Sequence, residues 1–136
     1  MSMTNRQVAD LLNLIVSVDG RRMNDQTPAA WAGILDGLSF ADCRDAVLAH
    51  YQESTDWLTP AHIRKRVAAV RQRRINEIGQ NVNPNRRDSE DPAEEIRVRK
   101  ELTRALGDGT LTAAQYDAYH LSGLRWDEWT GRELAA

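Results

Sequence analysis

Helix-start signals recur along this sequence, and they constrain its fold more than any other feature. Thr4 with Gln7, and Ser39 with Asp42, have capping-box spacing, in which side chains satisfy the first unpaired backbone N–H groups. Thr27-Pro28 and Thr59-Pro60 each set a capping hydroxyl before a proline, whose missing N–H is harmless in a first turn. Asp91-Pro92 opens a further helix to about Leu106, and Thr112 caps another. Behind these starts, apolar residues recur at three- and four-residue spacing. Val8, Leu11, Leu12 and Ile15 form one stripe, and Trp31, Ile34, Leu35 and Leu38 a second. Cys43, Ala46, Val47, His50 and Tyr51 form a third, and Ile63, Val67 and Val70 a fourth. The expected fold class is all-α.

Breaks divide the chain. "VDGRRMND" ends the first helix at Gly20. The first four helices are expected to enclose one modest core within 3–76, a helical bundle domain over 1–78. "GQNVNPNRRDSEDP" has no apolar periodicity and is dense in Asn, Pro and charge, so 79–91 reads as a linker. Residues 92–136 read as a C-terminal helical segment carrying Tyr116, Tyr119 and Leu121. Trp126 and Trp129 follow, three residues apart on one helical face. With few other apolar residues, this segment is expected to pack on the first part, to self-associate or to wait for a partner. Trp31 and Trp57 are expected in or at the edge of the core.

No apolar run nears the roughly 18 residues that span a bilayer. The start "MSMTNRQ" lacks a secretion pattern, and the single cysteine, Cys43, fits a reducing compartment. A cytoplasmic protein with no membrane association is expected. The net charge of −2 conceals segregation. Residues 1–59 carry four Arg against eight Asp and Glu, and residues 60–87 carry eight Lys and Arg against one Glu. Residues 88–136 carry six Lys and Arg against eleven acids. The basic block centres on "LTPAHIRKRVAAVRQRR", whose cations are Arg64, Lys65, Arg66, Arg71, Arg73 and Arg74. They could pair with the acidic C-terminal part, meet a protein partner or meet nucleic acid. Interleaved aromatics for base stacking are not clear in this stretch.

Chemistry is not legible. There is no phosphate-binding loop ending in Lys-Ser/Thr. His50, His62 and His120 are far apart and Cys43 is alone, so no metal site is expected. A calcium loop on "GDGTLTAAQ" would set Arg104, Leu106 and Gln115 at ligand positions, which removes the required oxygens. Cys43 sits one turn into an amphipathic helix, as a small core residue does. The expectation is no catalytic residue, no cofactor and no enzyme.

The helix pattern resembles one known family, the small phage-encoded loaders and inhibitors of the replicative helicase. The resemblance rests on "NRQVADLLNLIV", Trp31 in the second helix, "CRDAVLAHYQE" ending at Tyr51, and "LTPAHIRKRV" with its Pro-initiated start. It covers about residues 3–75. It implies a helical domain that binds the hexameric replicative helicase, holds it inactive and helps deliver it to the origin without hydrolysing ATP. Partner-binding residues are then expected at Arg64, Lys65, Arg66, Arg71, Arg73 and Arg74 through charge, and at Trp126 and Trp129 through buried aromatic area. DNA or an origin-binding protein is a further partner under this reading. Two other readings stay open. One is a DNA-binding replication-initiation or regulatory protein that uses 59–74 as a recognition helix. The other is a self-assembling protein whose 92–134 segments pair between chains as a homo-oligomer.

Overall fold

The computed structural model describes residues 2–133, with the side chains of 2–132. Among these residues the chain is all-α, with seven helices and no strand. They are α1 (Asn5–Asp19), α2 (Thr27–Ile34), α3 (Phe40–Glu53), α4 (Pro60–Asn76), α5 (Pro92–Asp108), α6 (Ala113–Ser122) and α7 (Trp126–Glu133). The caps explain most boundaries. Thr4 and Gln7 close a complete capping box, as do Thr112 and Gln115. Ser39 accepts from the Asp42 N–H, and Asp91 from that of Ala93. At Thr27 the structure differs: the preceding Gln26 occupies the cap position without a side-chain bond, and Thr27 accepts from the Asn24 N–H. Gly20 ends α1 at φ 67°, a left-handed conformation in which a side chain would be strained.

The chain divides into two compact units, 1–69 and 70–136. The division falls within α4 and not at the expected boundary of 78, because each unit draws on a different part of that helix. The first core gathers Val8, Leu11, Leu12 and Ile15 of α1 with Trp31, Leu35, Cys43, Val47, Leu58, Ile63 and Val67. Ile34 is 48% exposed, contrary to expectation. Trp31 and Leu35, four residues apart, take the inward position, and Ile34 lies about 100° around the helix from Leu35. Trp57 is 60% exposed and not a core residue, because its neighbour Leu58, at 1%, fills the inward place in that loop. Val70 is half-buried.

The second unit departs from expectation. It has a core of its own, made of Val98, Leu102, Leu106, Leu111, Tyr116, Tyr119, Trp126 and Trp129, with Ile75, Ile78 and Val82 packed against it. Few residues suffice because four are large aromatics, each burying roughly 150–250 Å². Trp126 and Trp129, expected to meet a partner, lie instead in this core: they are 5% and 3% exposed, stacked at 5.8 Å, and both meet Tyr119 edge-on. The Trp126 indole N–H donates to Glu101 at 2.6 Å. Leu121, by contrast, is 88% exposed.

The segment 79–91 is not a detached linker. A buried phenol needs a partner for its hydroxyl, and this segment supplies backbone groups to both tyrosines of α6. Tyr116 accepts from the Asn83 N–H and donates to the Asn83 carbonyl, each at 3.0 Å. Tyr119 accepts from the Asn85 N–H at 2.9 Å and donates to the Asp88 carboxylate. Asp88 also accepts from the Trp126 N–H, and the Asn85 amide donates to the Leu124 carbonyl. Within this largely exposed segment, Asn85 and Asp88 are buried in a hydrogen-bond network with α6 and α7.

Candidate functional site

The six cations of α4 have different roles. In the first unit Arg64 donates to the Ile34 carbonyl at 2.6 Å, at the C-terminal end of α2. Arg66 pairs with Glu53, the last residue of α3, at 2.8 Å. In the second unit Arg71 pairs with Asp108 and Arg74 donates to the Gly107 carbonyl, both at the end of α5. Unsatisfied carbonyls and the negative end of the helix dipole attract cations there. Gly107 eases this approach, since a Cβ there would stand 3.0 Å from the Arg71 guanidinium and oblige it to shift. Lys65 and Arg73 are exposed and make no hydrogen bond or ion pair among the described residues. Four of the six expected contact residues therefore serve the fold, and Trp126 and Trp129 are core.

The structure brings other cations together. Within the second unit Arg71, Ile75, Arg99, Lys100, Thr103 and Arg104 line a groove of about 460 Å³ with no carboxylate in its lining. Arg71 and Arg99 are compensated, the latter by Glu95 at 2.7 Å. Lys100 and Arg104 are exposed and unpaired among the described residues. They stand four apart on α5, where like charges repel by a few tenths of a kcal/mol. Folding gains nothing from that pair, whereas an anionic partner would. The local run "RVRKELTR" carries the signal, but the acidic balance of 88–136 hides it.

A cavity of about 330 Å³ lies within the first unit, lined by His50, Ser54, Asp56, His62, Lys65, Arg66 and Ala69. The buried His50 donates from Nε2 to the Asp56 carbonyl at 2.7 Å and so fixes the loop after α3. The Thr59 N–H donates to Nδ1 of His62 at 3.0 Å. That bond needs the lone pair on Nδ1, so the neutral ring carries its proton on Nε2. Contrary to the expectation that the histidines lie far apart, the ring centroids of His50 and His62 are 4.8 Å from each other. Among the described residues no group of three or more His, Cys, Asp or Glu is arranged to hold a metal ion.

Beside that loop Arg21 stands 4.1 Å over the ring of Trp57. Asp19 grips Arg21 through Nε and Nη2 at 3.0 and 2.6 Å and accepts from the Tyr51 hydroxyl at 2.7 Å. The Arg21 hydrogen bonds, helped by Tyr51, hold the Asp19 carboxyl down at about 2, and burial followed by the Asp19 bond pushes Tyr51 up to about 12. Cys43 is buried, and desolvation raises its thiol to about 11. A thiol so raised is not a poised nucleophile. No helix among the described residues is long and apolar enough to cross a membrane. No family model, curated protein or solved structure matches the chain.

Proposed function

We propose that this chain is a non-enzymatic accessory protein of phage DNA replication that acts in the host cytoplasm. It binds the hexameric replicative helicase and serves as its loader or inhibitor, without ATPase activity. The identity of the partner rests on the helix pattern of residues 3–75, whose landmarks Trp31 and Ile63 lie in the first core with Tyr51 packed against it. The observation that carries a binding role is the groove of the second unit, whose lining holds Ile75 together with Lys100 and Arg104, both unpaired among the described residues. A groove lined by cations and an apolar residue suits an acidic protein surface with an apolar anchor. The groove has no aromatic lining for base stacking. A duplex-recognition role for 59–74 draws less support, because Arg64, Arg71 and Arg74 are engaged within the fold.

The test is a titration of a purified hexameric bacterial replicative helicase with the full chain, followed by light scattering and calorimetry. A defined complex is expected. Lys100→Glu with Arg104→Glu should weaken it about tenfold or more, since each reversal turns an attraction of up to about 1 kcal/mol into repulsion. No complex at micromolar concentrations refutes the helicase reading. A complex indifferent to the double reversal removes the groove from it.

A further inference from the structure

Two features of the first unit have no part in that reading: the cavity after α3 and the exposed Trp57. One loop joins them. Asp56 lines the cavity and His50 pins its carbonyl; Trp57 is the next residue, its Cα about 3.8 Å along the chain. The residues lining the cavity include Ser54, His62, Lys65 and Arg66, whose side chains carry a hydroxyl, an Nε2–H, an ammonium and a guanidinium as donors. Lys65 has no partner among the described residues, and Arg66 is shared with a Glu53 carboxylate that is 64% exposed. Such exposed pairs are weak and readily exchanged for a better acceptor. Asp56 is the one acid in the lining. Trp57, meanwhile, has the Arg21 guanidinium against one side of its ring, and Asp19 holds that guanidinium in place. The indole is thus supported from beneath while 60% of the residue stays open.

We propose that this loop is a contact site for single-stranded nucleic acid. One phosphodiester sits in the cavity against Lys65, Arg66 and His62, and a base of the same or the adjoining nucleotide stacks on the open face of Trp57. Phosphate oxygens accept from N–H and O–H donors and gain most from full cations. Every base has a π-face, so stacking is tolerant of sequence and needs a strand whose bases are unpaired. An acidic peptide would meet the same cations but leave the supported indole without a ring to stack on.

The experiment is fluorescence anisotropy of a labelled oligothymidylate titrated with the full chain at low salt. A duplex, an abasic strand of equal length and thymidine monophosphate serve as competitors. Trp31, Trp126 and Trp129 are buried, so quenching of the intrinsic fluorescence reports Trp57 directly. Trp57→Ala should weaken strand binding about tenfold, toward the low end of what one stacked base contributes. Lys65→Glu should weaken it comparably and flatten the salt dependence, because fewer counterions are released. The abasic strand should bind the wild type about as poorly as the intact strand binds Trp57→Ala. Both residues are exposed, so matching far-UV circular dichroism is expected for the variants. Lys100→Glu with Arg104→Glu, which lie outside the cavity lining, should weaken strand binding less than Lys65→Glu alone does. The proposal is overturned by absence of saturable binding, or by affinity indifferent to both Trp57→Ala and Lys65→Glu. It is equally overturned by a duplex or mononucleotide that competes as well as the strand, or by loss of binding in the groove variant instead.

Discussion

Tyr119→Phe removes one oxygen atom, so its cost isolates the bonds that tie residues 85–88 to α6. The phenol accepts from the Asn85 N–H at 2.9 Å and donates to the buried Asp88 carboxylate. Burial, and then the Asp88 bond, push the phenol well above its ordinary range, so it stays a donor at working pH. In the variant the Asn85 N–H loses its acceptor and Asp88 keeps the Trp126 N–H among its donors. A buried N–H left unmade costs about 1–3 kcal/mol, and a lost bond to a carboxylate about 1.5–3 kcal/mol. The easier burial of Phe offsets part of that sum. A net loss of about 2–4 kcal/mol is expected, a large share of the stability of a small domain. The assay is urea unfolding followed by the indole N–H resonances of Trp126 and Trp129, whose rings both contact Tyr119. Faster exchange of the Asn85 amide should accompany the loss. A cost below about 0.5 kcal/mol, with Asn85 still protected, would refute the network as the element that orders 83–88.

Trp126→Ala should destabilise the second core by about 3–5 kcal/mol, the usual cost of emptying an aromatic site, and abolish its near-ultraviolet circular dichroism; an intact spectrum would return Trp126 to the surface. Asp19 has its carboxyl held at about 2 against an ordinary 3.8, so its stabilising pairing with Arg21 is complete above pH 4 and lost as pH falls toward 2. Acid titration of Asp19→Asn should lack that component, and a wild-type and variant of equal acid sensitivity would count against the pairing. Cys43, buried with its thiol at about 11, should react with a thiol reagent only at the rate of unfolding; prompt modification of the native protein would contradict its burial.

The first unit was largely legible because its stabilisation is local and periodic: caps at Thr4 and Ser39 and stripes at three- and four-residue spacing point to the same helices. Its misread positions, Ile34 and Trp57, lie where short or irregular segments offer two candidates for one inward place. The second unit is less legible for a different reason. Hydropathy treats Asn85 and Asp88 as solvated, yet they are buried, at 5% and 2% exposure, because Tyr119 and Trp126 bring hydrogen-bonding groups to them. That reciprocity spans more than thirty residues and leaves no mark on local composition. The basic block misled in a similar way: charge shows in a sequence, but its compensation at the ends of α2, α3 and α5 depends on packing.

The pairing of Tyr116 with Asn83 and of Tyr119 with Asn85 also bears on how this sequence can vary in length. One turn of α6 on one strand of chain is matched to a two-residue step on the other. A residue inserted or deleted between 83 and 85 would misalign one tyrosine whichever way the chain adjusted, and a buried hydroxyl would be left to solvent-free space. The segment richest in the residues of a loop is thus held to a fixed length, whereas the turn between α1 and α2, with its exposed Arg22, Asn24 and Asp25, can absorb an extra residue at little cost.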